Sequence, residues 1–86
     1  MTLEGAVIKE QGVTFAVVIV KPHVLNTQQS AAQAIANFGT YFPGMPIVLM
    51  AQNGRGTPTY MGRRDIVKFL SGISMSRISW KRYTFN

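Results

Sequence analysis

The sequence predicts one small α+β (or mixed α/β) domain, with a single mixed sheet of about five strands and two helices in the order β-β-α-β-β-α-β. Three observations lead there. Val13 to Lys21 and Pro46 to Gln52 are almost continuously apolar and rich in β-branched residues, as strands buried on both faces are. Two other segments repeat their apolar residues at helical spacing. Gln11-Gly12 and Asn53-Gly54 stand between elements as turn signals. At 86 residues the chain, residues 1–86, is one domain, because either half would be too small to bury a core.

Gly5 to Glu10 forms the first strand, and the tight Gln11-Gly12 turn leads into Val13 to Lys21. The lack of alternation in that second run makes it central, and Pro22 ends it. Asn26-Thr27-Gln28-Gln29 opens the first helix, with Asn26 as N-cap and Gln29 reaching back from the third position. Its inner stripe is Ala31, Ala34, Ile35 and Phe38, its outer face is the uncharged Gln29, Gln33, Ala36 and Asn37, and Gly39 ends it. Thr40 to Met45 is a loop in which Tyr41-Phe42-Pro43 is expected to be exposed.

Pro46 to Gln52 is the second buried strand, and the Asn53-Gly54-Arg55-Gly56 turn leads to Thr57 to Met61. Pro58 cannot donate to a ladder, which puts this strand at an edge. Gly62 precedes a second helix, Arg63 to Ile73, with Ile66, Phe69, Leu70 and Ile73 on one stripe and Arg64, Lys68 and Ser71 opposite. Ile78 to Phe85 is the last strand.

Residues 13–86 alone follow the βαββαβ order of ferredoxin-like domains, which would make the fold ferredoxin-like with an extra N-terminal strand. The Gln11-Gly12 turn pulls the other way. It sets the first strand beside the second, a place that a ferredoxin-like sheet gives to another strand, so a different mixed sheet is the alternative. Residues 44–70 are also similar in pattern to the C-terminal hairpin and helix of thioredoxin-like folds. With no cysteine and one βα unit too few upstream, redox function does not carry over.

Absence of cysteine excludes a disulfide framework, a thiolate nucleophile and Cys-based zinc sites. No P-loop, GxGxxG or Ser–His–Asp set is present. His23, Glu4, Glu10 and Asp65 are too few and too scattered for acid–base work or a metal site, so we expect no enzyme, no catalytic residue, no metal and no cofactor. The residues Met1 to Gly5 lack the pattern of a signal peptide, and the longest aliphatic and aromatic run, Phe15 to Val20, has six residues against the ~20 of a membrane span. A cytoplasmic protein with no membrane partner is the expectation.

Charge placement carries the strongest functional signal. Lys9 and Lys21 cancel Glu4 and Glu10, and no formal charge lies from Pro22 to Gly54. Arg55, Arg63, Arg64, Lys68, Arg77, Lys81 and Arg82 then face Asp65 alone, which is the whole net charge of +6. Such asymmetry suits a basic face meeting a polyanion, nucleic acid above all, and a neutral face meeting protein. A merely basic, soluble protein is the plainer alternative.

Two sets of candidate residues follow. Arg63 and Arg64 oppose the dipole at the start of the second helix, which makes sense if an anion binds there; pairing with Glu10 or Asp65 would explain them as well. Lys68, Trp80, Lys81 and Arg82 extend this set, because the last strand interleaves cations and rings as single-strand binders do, although the rings could simply pack. The second set is a small-anion site of Lys21, His23, Asn53 and Arg55, with Gln52 beside them, at the carboxyl ends of two strands expected to be parallel. The function expected is a non-catalytic polyanion-binding module. The alternative is a homo-oligomeric or adaptor domain that uses the uncharged outer face of the first helix and an open edge strand.

Overall fold

In the computed structural model, which describes residues 1–85, Gln11 and Gly12 adopt φ of 51° and 79°, the paired left-handed conformation of a type I′ turn. The turn joins β1 (Thr2–Glu10) to β2 (Val13–Ile19) as an antiparallel hairpin, with Glu10 opposite Val13 and Gly5 opposite Val18. A 3-10 helix, Pro22–Leu25, then leads to α1 (Gln28–Gly39), and β3 (Ile47–Gln52) returns directly beside β2 and parallel to it. The hairpin partner β4 (Pro58–Met61) follows, then α2 (Arg64–Ser71), a 3-10 turn at Met75–Arg77, and β5 (Lys81–Thr84) against the first half of β1.

The strand order is β4-β3-β2-β1-β5. The expected mixed five-stranded sheet with two helices is therefore present, but the ferredoxin-like arrangement of residues 13–86 is not. That arrangement splits its βαβ unit, leaving room for a strand between the two parallel ones. Here β3 pairs with β2 on one side, and the two-residue turn has already placed β1 on the other.

The helices cover opposite faces. Phe15, Val17, Val48 and Met50 pack with Ile66 and Leu70 of α2 and with Ile78, while Ala16, Val18, Ile47 and Leu49 pack with Ala31 of α1 and with Phe42. This two-sided cover is why β2 and β3 lack alternation. Gly62 lets the chain turn close over β3 into α2, since a Cβ there would lie 3.0 Å from the Ile47 carbonyl oxygen.

Four local expectations are corrected. Thr27, not Asn26, caps α1: Asn26 is the C-cap of the 3-10 helix, and the extended Thr27 accepts from the Ser30 N–H at 3.0 Å. Ser30, not Gln29, completes the start of the helix, its hydroxyl donating to the Val24 carbonyl at 2.6 Å. Phe42 is buried, meeting Tyr83 and Phe85 edge to face at 5.4 and 5.9 Å, because α1 lies over β3 and leaves the β1–β5 side of its face for the following loop to cover. The last strand begins at Lys81, since Ile78 is taken into the α2-side core behind the 3-10 turn.

Pro58 does lie in an edge strand. Asn53 bonds Thr57 across the hairpin, so Pro58, one residue on, directs its missing N–H outward and blunts the edge.

Candidate anion-binding site

The parallel pairing of β2 and β3 gives the sheet two unlike ends. At the carboxyl ends of β2 and β3 lie Lys21, His23, the 53–57 loop with Arg55, the C-terminal end of α2 and the Met75–Arg77 turn, where Gln52 meets Met75. β5 belongs to this half too, because it pairs only with Thr2 to Gly5 of β1. Five of the nine Lys and Arg residues (Lys21, Arg55, Arg77, Lys81 and Arg82) therefore stand in one half of the domain, with Glu4 as their only side-chain carboxylate among the described residues.

Lys9, Arg63, Arg64 and Lys68 occupy the other half together with Glu10 and Asp65. Arg63 Nε meets Asp65 Oδ1 at 2.8 Å, both side chains about half exposed, which is the pairing the plainer explanation of Arg63 requires. Lys68 lines a groove with Glu10 and Asp65, and Arg64 is exposed in the first turn of α2. Arg63 and Arg64 thus stand where β4 leads into α2, Lys68 faces the β1–β2 hairpin beside Glu10 and Asp65, and Lys81 and Arg82 sit on the edge strand β5. At ~4.8 Å per strand, the edges are roughly 19 Å apart. The set Arg63, Arg64, Lys68, Trp80, Lys81 and Arg82 does not form one patch.

Arg82 instead joins Lys21 and His23. The three line an open groove of about 520 Å3 together with Glu4, and Leu3, Val20, Val24 and Phe38 are among its apolar lining. The groove exists because β1 leaves β2 at Gly5 and continues along β5, so the ends of β1 and β2 diverge. Lys21, His23, Glu4 and Arg82 are all exposed. Glu4 and Arg82 are cross-strand partners in the β1–β5 ladder, yet no ion pair joins them among the described residues.

Asn53 and Arg55 stand at the same end of the sheet as Lys21 and His23 but do not line that groove. Asn53 holds its own turn, its Oδ1 accepting from Arg55 N at 2.8 Å and Thr57 N at 3.0 Å. Arg55 lines a separate groove of about 510 Å3 with Tyr60, Ser71 and Ser74. The Tyr60 hydroxyl is buried there without a hydrogen-bond partner, and burial raises its phenol above the ordinary value.

The rings of the last segment are held by packing. Trp80 donates its indole N–H to the Met75 carbonyl at 3.2 Å and packs on the α2-side core. Tyr83 stacks on Phe85 at 6.3 Å on the other face. Lys81 and Arg82 alternate with them and point to opposite faces of an edge strand, where cations also discourage pairing with another chain.

Sequence reasoning missed the meeting of Arg82 with Lys21 and His23, and it missed Leu3, Val24 and Phe38 as groove walls. A hint was available: Glu4 and Arg82 are opposite charges in two segments that need partners, as cross-strand neighbours often are.

No family model, characterised protein or solved structure matches the chain. Among the described residues, no helix is long and apolar enough to cross a membrane.

Proposed function

We propose that this chain is a non-catalytic binding module that takes a polyanion, single-stranded nucleic acid above all, across the carboxyl ends of β2 and β3. One observation carries this proposal. Five cations gather in that half of the domain against one carboxylate, and the connection after β2, the loop after β3, the Met75–Arg77 turn and β5 supply them from distant parts of the sequence. Exposed cations held at several points on a rigid sheet suit repeated phosphates better than a single ion. Lys21, Arg55, Arg77, Lys81 and Arg82 provide the contacts, and Arg63, Arg64 and Lys68 form a separate, partly neutralised surface that adds only a diffuse field. Because the rings of β5 are packed, affinity comes from phosphate contacts and carries little base preference.

Fluorescence anisotropy with a labelled single-stranded oligonucleotide tests this at low and at raised salt. The expected result is binding that weakens steeply as salt rises, through counterion release. Undetectable binding at low ionic strength overturns the proposal.

The outer face of α1 supports a second reading of another class. Gln28, Gln29, Ala32, Gln33, Ala36 and Asn37 are all exposed and none carries charge. Such a face suits a protein partner or a second copy. Light scattering at high concentration distinguishes self-association, and a strict monomer removes that version.

A further inference from the structure

We infer that the groove between the diverging ends of β1 and β2 is a pocket for one small organic phosphate, its phosphate between Lys21 and Arg82 and its apolar body against Leu3, Val20, Val24 and Phe38. The inference shares Lys21 and Arg82 with the polyanion reading and otherwise rests on the groove alone.

The size and lining agree with that occupant. A volume of about 520 Å3 lies in the range of small-molecule sites, which are typically ~300–1,000 Å3 and combine mainly apolar walls with a few polar groups. The two cations come from separate elements, Lys21 from the cap of the 3-10 helix that follows β2 and Arg82 from β5, so each approaches an anion from its own side. An arginine fork and a lysine ammonium are the usual phosphate holders.

Glu4 makes the site selective. It repels a bare anion, and its carboxylate accepts a hydrogen bond from a ligand that also carries a hydroxyl or an amine. His23 adds a second polar contact on the Lys21 side. A phosphate ester with a planar or apolar body and a donor group, such as a mononucleotide, meets all of these features. Inorganic phosphate meets one.

Calorimetry and amide NMR with adenosine monophosphate, inorganic phosphate and adenosine test the inference on the intact chain. Adenosine monophosphate should bind about tenfold or more tightly than inorganic phosphate, with shifts at residues 3–4, 19–24 and 82. Lys21→Gln and Arg82→Gln should each weaken it about tenfold. Val24→Asn should weaken the nucleotide and leave phosphate unchanged; it lies outside the sheet, and the wild-type shift map stands even if that variant folds poorly. Equal affinity for nucleotide and phosphate, shifts elsewhere, or no binding of either overturns the inference. Oligonucleotide binding without mononucleotide binding would overturn it and leave the polyanion reading intact, and the reverse outcome would do the opposite.

Discussion

Gly5 and Val17 approach so closely that a Cβ on Gly5 would collide with the Val17 carbonyl oxygen. Gly5 is also the residue of β1 registered on both sides, to Val18 of β2 and to Lys81 of β5. It is therefore the pivot at which β1 changes partners, and the change of partners opens the groove that Lys21, His23 and Arg82 line.

Gly5→Ala should destabilise the fold by about 1–3 kcal/mol, the range for forcing a methyl group into a packed site. Urea denaturation measures this. An unchanged midpoint would mean that the pivot has slack and that the divergence of β1 from β2 is not held by backbone contact.

The unpartnered Tyr60 hydroxyl makes a prediction of the opposite sign. Tyr60→Phe removes a buried polar group that no hydrogen bond offsets, so stability should be unchanged or higher by up to about 1 kcal/mol. The pH dependence follows from the raised phenol. Above its ordinary value of 10.0 the unfolded chain loses this proton while the folded chain keeps it, so stability is full below that value and falls as pH rises beyond it. Denaturation of wild type and Tyr60→Phe across alkaline pH should give the shallower decline in the variant.

Trp80 separates packing from stacking. Trp80→Phe frees the Met75 carbonyl and thins the α2-side core, and should cost about 1–2 kcal/mol in stability. Oligonucleotide affinity at fixed salt should not change. A large loss of affinity in a folded variant would return the ring to the binding surface.

Much of this fold was legible because local signals were strong. Gln11-Gly12 specified a hairpin, Pro58 an edge, and the unalternating runs around Val17 and Val48 two central strands. The helix starts were less legible, since Asn26 and Thr27 are both good caps and only the preceding 3-10 helix decides between them. Phe42 misled for a related reason: its burial depends on where α1 stops covering the sheet, which is a property of packing and not of the Tyr41-Phe42-Pro43 segment. The candidate site was legible in its residue types but not in its grouping. Lys21 and Arg82 lie 61 positions apart and meet only because β5 pairs with the first half of β1, a long-range choice that no local pattern records.

The regrouping of cations can be read from salt dependence. Lys21→Ala and Arg82→Ala should each lower the slope of log affinity against log salt by roughly 0.7, the value for one phosphate contact on a single strand. Arg64→Ala should leave the slope nearly unchanged. Equal effects from all three would point to diffuse attraction by the net charge, without a site.

The most direct test of the central claim is a residue-resolved NMR titration of the labelled chain with a short single-stranded oligonucleotide, repeated at raised salt. Binding at the carboxyl ends of the parallel strands predicts shifts at residues 19–24, 53–56 and 77–85 that salt reverses, with residues 62–68 nearly silent. Shifts concentrated at 62–68, or none at low salt, would contradict it.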